Sequence, residues 1–423
     1  MGNDQAKLGR KPKYIRSQNT ELIINLYRQY SELSISDISR RVGLSRTTVM
    51  NINQELLENH IIVEAGKGIS TGEGGKKPTI YRFEAERMLI LTFYVKHDTV
   101  LFALYDLKYS VKLQDSCPIP TDSDFRDVAD AMQGLIDRNI VENERYSWKE
   151  LLVCMVGVHG NIDVQSGICR QSTYFPTWGV DSNLLQIIQD TLTVSCPVYI
   201  DHWIRLKTYG ENRMGNLGNH DSVVVIDAGW HGVVSGIMLN GNIYTGKHFL
   251  SGEIGHFSIN PEDDELCHCG SHGCFERQIS LKRLCGRVAA LSPEYPDSRL
   301  TSDDGEYTLR ELFTAADLGD ALAQRVLDEA VHWFALMTSF IILFFDPETL
   351  FIEGDWASGC RYFEQGLSEE IQGISLPRLK RENVLQYAPN SSEAVLRGAA
   401  VMAYDRFHAV RGMKDGTGAH GIP

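Results

Sequence analysis

One stretch of this chain restricts its fold more than any other: GEIGHFSINPEDDELCHCGSHGCFE, from Gly252 to Glu276. Cys267, Cys269 and Cys274 fall within eight residues, with Gly270 and Gly273 between them. Thiolates this close share one ion if the backbone turns sharply, and glycine permits the turn. A closed tetrahedral site of the Cys₃His kind needs a fourth ligand. His256, His268 and His272 are the candidates. His268 and His272 sit inside the cysteine loop, where a further ligand would strain the backbone. His256 arrives from a separate segment and is the expected fourth ligand. The expected ion is Zn²⁺ in a structural role, because four protein ligands leave no open position for a metal-activated hydroxide. The alternative is a set of ordinary buried or loop cysteines. Glu253 and Glu276 flank the ligands, and their acceptor-only carboxylates suit a grip on hydroxyls beside a metal-held imidazole. The run Glu262, Asp263, Asp264, Glu265 has little to bury, so the loop is expected to order only with the metal.

Gly252-Glu253-x-x-His256, followed by Cys-x-Cys-Gly-x-x-Gly-Cys-x-Glu ending at Glu276, resembles the signature of the ROK family. That family contains sugar kinases and sugar-responsive transcriptional repressors, among them xylose- and N-acetylglucosamine-responsive ones. The likeness extends over nearly the whole chain in patches of unequal quality.

The charge is unevenly spread. Residues 1–84 carry 13 Lys and Arg against 9 Asp and Glu, a net of +4. The whole chain is at −14, so the remainder carries −18. The total alone argues against nucleic acid, but a basic end on an acidic body is the pattern of a chain that meets DNA at one end. At 423 residues, 43% of them apolar, there is material for about three domains. Nine cysteines and no secretory signal pattern point to a reducing cytoplasm rather than a disulfide framework. The apolar run Phe334 to Phe345 is too short to cross a bilayer and reads as a buried helix, with no membrane partner expected.

Residues 1–18 form a basic arm in which Gly9-Arg10-Lys11-Pro12-Lys13 suits an extended path along a minor groove; a solvated tail is the other reading. Over 19–84 the pattern is that of a winged helix-turn-helix. Leu22, Ile23, Leu26, Tyr27 and Tyr30 recur at helical spacing. Ser34 with Asp37 resembles a capping box opening a second helix that stops at Gly43. Ser45 caps a third, Arg46 to about Glu58. Val49, Ile52 and Leu56 share its inner face. Arg46, Thr47, Thr48, Asn51 and Gln54 are the candidate groove-reading residues, since Asn and Gln suit adenine and Arg suits guanine or phosphate. A hairpin of 61–64 and 79–83 follows, its Gly-rich tip carrying Lys76 and Lys77 toward phosphates or a minor groove. It resembles the wing of the ROK repressors. A winged helix used for protein contacts alone is the alternative.

From Leu89 strands alternate with helices, in an order that reads as two α/β units. Strands are expected at 88–94, 100–106, 109–113, 151–158 and 198–201, then at 222–228, 233–239 and 350–353. Two such halves fit the duplicated actin-like, ribonuclease-H-like body that the resemblance implies. The expected division is 88–200 with the closing helix region 394–411 as one lobe and 201–393 as the other, with 412–423 a flexible tail. A cleft between the halves is the natural ligand site.

A sugar kinase needs a phosphate cradle, a base and a sugar grip. Where the ROK kinases carry Asp-x-Gly-Gly-Thr, this chain has Tyr94-Val95-Lys96-His97-Asp98. Their second loop, Gly-Thr-Gly-x-Gly, is matched by Ala228-Gly229-Trp230-His231-Gly232. Their Glu-Asn-Asp-Ala-Asn is matched by Asp201-His202-Trp203-Ile204-Arg205, which puts Trp203 where the base should stand, and an indole accepts no proton. No enzyme activity is therefore expected. Glu253, His256 and Glu276 match three sugar contacts, and His202 and Trp203 replace two others. Tyr174 stands near where the family offers an Asn, and His159-Gly160 replaces a Pro-Gly. Either the pocket binds a sugar, with Trp203 as a stacking face, or Trp203 fills it and Glu253 and Glu276 orient the zinc ligands. The expected function is a cytoplasmic DNA-binding regulator, a repressor of carbohydrate genes. Its partners would be a double-stranded operator, a sugar or sugar-derivative effector, and a second copy in a homodimer or homotetramer. A regulator answering to a protein partner, and a sugar kinase fused to a DNA-binding arm, are the alternatives.

Overall fold

The computed structural model describes residues 12–414 except 69–76, 144–145, 148–149, 216, 230–231, 301–305, 375–384 and 389–390. Helix α1 (Pro12–Tyr30) starts earlier than the sequence suggests. Proline at a first helical position forfeits no hydrogen bond and presets φ. The helix therefore takes in 12–18, part of the segment expected as an extended arm, while 1–11 lie outside the described residues. Next come β1 (Glu32–Ser34), α2 (Ile35–Val42), α3 (Arg46–Glu58), β2 (Ile62–Lys67) and β3 (Thr79–Phe83). The Ser34–Asp37 capping box forms in both directions, Gly43 closes α2 at φ 69°, and Ser45 caps α3 by accepting from Thr48 N. The strands make an antiparallel sheet in the order β1-β3-β2. β1 is three residues long, too short to show a period, so the sequence reading lacks it. Ile23, Tyr27, Ile38, Val49, Ile52 and Leu56 fill the core of this unit.

Two sheets of one design follow. The first half has an antiparallel meander, β4 (Leu89–Val95), β5 (Thr99–Tyr105) and β6 (Val111–Pro118). Then come α4 (Phe125–Ile136), β7 (Leu151–Val158), a small sheet of β8 (Ile162–Asp163), β9 (Ile168–Cys169) and β10 (Ser182–Asn183), α5 (Leu184–Thr191), β11 (Val198–His202) and α6 (Trp203–Arg213). The second half repeats the meander as β12 (Val223–Gly229), β13 (Gly232–Leu239) and β14 (Asn242–Ile243). It continues with α7 (Phe275–Gln278), α8 (Leu281–Leu291), α9 (Leu309–Asp317), α10 (Ala321–Phe345), β15 (Thr349–Glu353), α11 (Arg361–Ile374), β16 (Leu385–Tyr387) and α12 (Ser392–Lys414). In each half two later strands join parallel to the first strand of the meander, giving β11-β7-β4-β5-β6 and β14-β13-β12-β15-β16. The same strand order twice is the duplicated actin-like α/β body expected from the sequence. β4, β7 and β15 are buried along their whole length, which is why apolar residues dominate them without the alternation of a half-exposed strand.

Helices α6 and α12 join the halves. α12 closes the second half yet packs on β4 and β7 of the first, and α6 packs on β13 of the second. They cross backbone to backbone: a Cβ on Gly210 would lie 2.1 Å from Gly398 Cα, so neither site admits a side chain. Helix α1 docks on the same junction. The Arg28 guanidinium lies 4.4 Å from the ring centres of both Tyr109 and Tyr404, and its Nε donates to Leu107 O at 2.8 Å. The winged unit and the body thus share one continuous apolar core. Among the described residues α10 is long and apolar enough to cross a membrane, longer than the run read from the sequence. Here it is the central helix of the second half, with Leu322, Val326, Phe334 and Ile341 buried against its neighbours.

Candidate functional site

The Gly252–Glu276 segment closes on itself through two isolated bridges, Ser258 with Cys274 and Leu266 with His272. Gly273 stands at φ 67°, where a Cβ would lie 2.0 Å from Asn260 O. These turns bring His256, Cys267, Cys269 and Cys274 together, their ligand atoms all within 4.8 Å of one another. The Sγ atoms of Cys269 and Cys274 are 3.6 Å apart, as are Cys267 Sγ and His256 Nδ1. A tetrahedral ion with metal–sulfur bonds of about 2.3 Å has ligand edges of about 3.8 Å, so this donor set fits such an ion. His268 is exposed, and His272 Nδ1 donates to Asp264 O at 3.0 Å, so both lie apart from the cluster. Burial pushes the Cys274 thiol up to about 11, and a bound cation would reverse that by stabilising the thiolate.

Beside the cluster, two carboxylates of the acidic loop find protein partners that the sequence reading did not include. Asp263 pairs with Arg283 and Gln278, and Glu265 pairs with Arg277 at 2.9 Å. Asp263 and Glu265 are held by side chains of α7 and α8, partners too far along the chain for a local reading of the loop to find.

A cavity of about 680 Å³ lies between the halves. The five candidate effector contacts, Glu253, His256, Glu276, His202 and Trp203, all line it. Trp203 is 6% exposed, with Tyr94 6.0 Å away at an interplanar angle of 27° and His159 at 5.4 Å. The indole is a packed wall rather than an open platform, and the cavity persists beside it. His202 is 5% exposed and caps α6 through Nδ1, which accepts from Ile204 N at 3.4 Å. Burial, followed by Arg205, holds its imidazole down to about 3, so it stays neutral in any cellular compartment. Glu276 Oε1 accepts from Cys267 Sγ at 3.1 Å and lies 3.5 Å from His256 Nδ1. That carboxylate links the ligand cluster to the cavity. Burial raises the Glu253 carboxyl above its ordinary value, with Glu276 adding to the effect against His256 and Arg205.

Sequence reasoning missed Tyr94, Asp227 and Asp355 on the cavity wall. It also missed Lys207, 1% exposed, which pairs with Glu353 and stands 3.7 Å from Asp227. The available signal was a charge ending an apolar strand: Val223 to Ile226 and then Asp227, Phe351-Ile352 and then Glu353. Asp201, the nearest carboxylate to the position of Trp203 in the sequence, is fully buried and held by Arg205 and Arg406. Residues 96–98 make the tight turn between β4 and β5, with Lys96 N donating to Thr99 O at 2.9 Å and Asp98 exposed. Trp230 and His231 lie outside the described residues.

On α3, Arg46, Thr47, Asn51 and Gln54 are exposed while Val49, Ile52 and Leu56 are buried. Thr48 is half-buried, its Oγ1 2.8 Å from the Ser45 Oγ of the cap. Gln54 Nε2 donates to Glu58 Oε1 at 3.1 Å. Met50, 52% exposed, shares the outward side and was not singled out from sequence, because an apolar residue on a reading face breaks the polar pattern. Its thioether suits contact with a thymine methyl. Lys77 is exposed at the base of the wing, and Lys76 lies outside the described residues.

The ROK family profile matches residues 98–406, and a profile for winged helix-turn-helix DNA-binding matches 16–63. The DNA-binding transcriptional dual regulator NagC of Escherichia coli strain K12 is 26% identical over 352 residues, 83% of each chain. A xylose repressor of Caldicellulosiruptor bescii is 24% identical over 362 residues, 85% of this chain and 88% of the repressor. The crystal structure of a ROK family transcriptional regulator, a homolog of the E. coli Mlc protein, shares the fold. Its TM-score is 0.78 at 22% identity, over 95% of this chain and all of that one.

Proposed function

The profile match covers well over half of the chain, which therefore belongs to the ROK family, and from that membership we propose a DNA-binding transcriptional regulator, a repressor of carbohydrate genes, whose body answers to a sugar or sugar derivative. The observation that carries the reading is a union within one core. Helix α3, with its polar outward face, shares a core with α1, and α1 docks through Arg28 on Tyr404 of α12, whose first residue, Ser392, lines the cleft with Glu253, His256 and Glu276. Arg46, Thr47, Asn51 and Gln54 would read bases in the major groove, with Thr48 holding the start of the helix, and Lys76 and Lys77 would meet phosphates. A two-fold operator would need two copies of α3, hence a homodimer or homotetramer, working in the cytoplasm.

His256, Cys267, Cys269 and Cys274 would hold one structural Zn²⁺, and the ion would neutralise thiolate charge and fix the segment that carries Glu253 and Glu276. No enzyme activity belongs to this reading. Asp201 is committed to two arginines, and Trp203 has no proton-accepting atom. The test of the reading is selection of duplexes from a random pool by the full chain, followed by release with a sugar panel. A coupled ATP-consumption assay with the same sugars separates a kinase from a regulator. Enrichment of one sequence, release by a sugar and no turnover are expected. Binding without sequence preference would refute it.

A further inference from the structure

Of the nine cysteines, all of them among the described residues, Cys269 alone is exposed, and it stands on the wall of the cleft. Its companions in the cluster are covered: Cys267 and Cys274 are 2% and 0% exposed, and His256 is half-buried. The Cys269 and Cys274 sulfurs lie 3.6 Å apart. A disulfide needs about 2.05 Å, so about 1.5 Å of travel joins them. The turn between them divides the task. Gly273, next to Cys274, is wedged against Asn260 O and holds that side in place. Gly270, next to Cys269, stands at φ 87° in open space, since a Cβ there would meet nothing within 4 Å. Cys267 is engaged elsewhere, its Sγ donating to Glu276 Oε1 at 3.1 Å. Cys269 is therefore the sulfur that can be reached and can move, and Cys274 the one behind it.

We infer that Cys269 and Cys274 form a peroxide-responsive pair: a peroxide entering the cleft oxidises Cys269, and Cys274 closes a disulfide onto it. The consequence for the metal rests on the reading of the four residues as a zinc site. Held as a ligand there, Cys269 is a thiolate, the form that attacks peroxide. Its sulfur bonds one peroxide oxygen, the O–O bond breaks, and the other oxygen leaves as hydroxide. The Cys274 sulfur then attacks the sulfenic sulfur, the S–S bond forms, the S–O bond breaks, and a second hydroxide leaves. Two protons from solvent turn both hydroxides into water. The two sulfurs are oxidised and the peroxide is reduced. The disulfide takes away two of four ligands, and His256 and Cys267 are too few to keep the ion. The loop does not collapse with its loss, because Asp263–Arg283 and Glu265–Arg277 still hold it. The change is local, and small thiols reverse it by exchange. It reaches the cleft directly, since His256 and Glu276 both line it.

The test treats the full chain, purified in reducing buffer and assayed for zinc, with hydrogen peroxide. Metal release is followed with a chromogenic chelator, and the thiols are then alkylated and mapped by mass spectrometry. Two thiols and the ion are expected to be lost together, leaving a peptide with a Cys269–Cys274 disulfide, while circular dichroism shows the body still folded. Dithiothreitol with added zinc should restore the starting state. Cys269→His supplies a ligand that zinc accepts but no sulfur, so it should keep the ion and release it to peroxide about tenfold or more slowly than the parent. A disulfide through Cys267, sulfinic acid at Cys269 without a disulfide, or release from Cys269→His at the parent's rate would overturn the inference. If that variant does not fold, the parent's disulfide map decides. Zinc absent from the reduced parent would refute the metal reading, with the disulfide map still deciding this one. Zinc present but no Cys269–Cys274 disulfide would refute this inference and leave the metal reading standing.

Discussion

Helix α3 and the cleft are both recognition surfaces on this account, and they are built by opposite means. α3 presents Arg46, Thr47, Met50, Asn51 and Gln54 to solvent, from a unit of net charge +4. The cleft holds His202 and Trp203 at 5% and 6% exposure, in a body of net charge −18. A polyanionic duplex is met by exposed groups that shed little water, whereas a small ligand must be enclosed by groups already stripped of it. Mutation should therefore separate the two: changes in the cleft reach the fold, and changes on α3 do not.

The largest effect is expected at the ligand cluster. Replacing Cys267 and Cys269 together by Ser should take bound zinc from about one ion per chain to none, and effector response should vanish with it. Metal binding at such sites is coupled to folding by about 10–16 kcal/mol in isolated peptides. Here Asp263–Arg283 and Glu265–Arg277 hold the loop independently, so only part of that should appear as lost stability. Elemental analysis with thermal denaturation checks this, and full zinc occupancy in the double variant would break it.

Trp203→Ala and Asn51→Ala make the contrast sharpest. Trp203 is packed between Tyr94 and His159, so truncation should cost about 3–5 kcal/mol of unfolding free energy. Asn51→Ala, like Arg46→Ala, should leave stability within about 0.5 kcal/mol and instead lose about 1–3 kcal/mol of operator binding with relaxed sequence preference. A destabilised Asn51 variant that keeps its operator affinity would place α3 in the wrong class.

Asp405 tests the seam between the regions. It accepts from Tyr209 OH of α6 at 2.7 Å and faces Glu21 and Arg28 of α1, Arg213 of α6 and Tyr404 of its own helix. Burial, then Glu21, raises its carboxyl from 3.8 to about 6. The native state then keeps a proton the unfolded chain has lost, so stability falls as pH rises through that window and the loss is complete above it. Acidifying from neutral pH should return on the order of 2 kcal/mol from this group. Asp405→Asn should remove that slope, measured as the difference between parent and variant because Asp227 and Glu253 titrate with the same sign. Parallel profiles for the two proteins would contradict it.

The smallest effect belongs to the wing. Lys77→Ala, and Lys76→Ala likewise, should weaken all duplexes alike and lower the salt slope by about one unit.

These regions also differ in how far the sequence reveals them. On α3 a single 3.6-residue period sorts Val49, Ile52 and Leu56 from Arg46, Asn51 and Gln54, so the outward face was legible apart from Met50 and the cap role of Thr48. The four residues of the Cys/His cluster lie close in the chain, with glycines marking the turns. The cleft is different: Tyr94, His159, Asp227 and Asp355 come from four separated segments and meet only through the duplicated sheets. No local period reports such a meeting. Partnerships such as Asp263–Arg283 and the Arg28 docking were illegible for the same reason, being long-range and set by helix packing.

The central claim, sugar-controlled reading of DNA, is tested most directly by one titration. A duplex selected by the full chain is held at a fixed salt concentration, and its fluorescence anisotropy is followed with and without each sugar that shifts the melting temperature. The account predicts binding at least about 10³-fold tighter than to a scrambled duplex, and a drop of about tenfold or more when the sugar is added, reciprocal to weaker sugar binding on DNA. Equal affinity for both duplexes, or an affinity that no bound sugar changes, would contradict it.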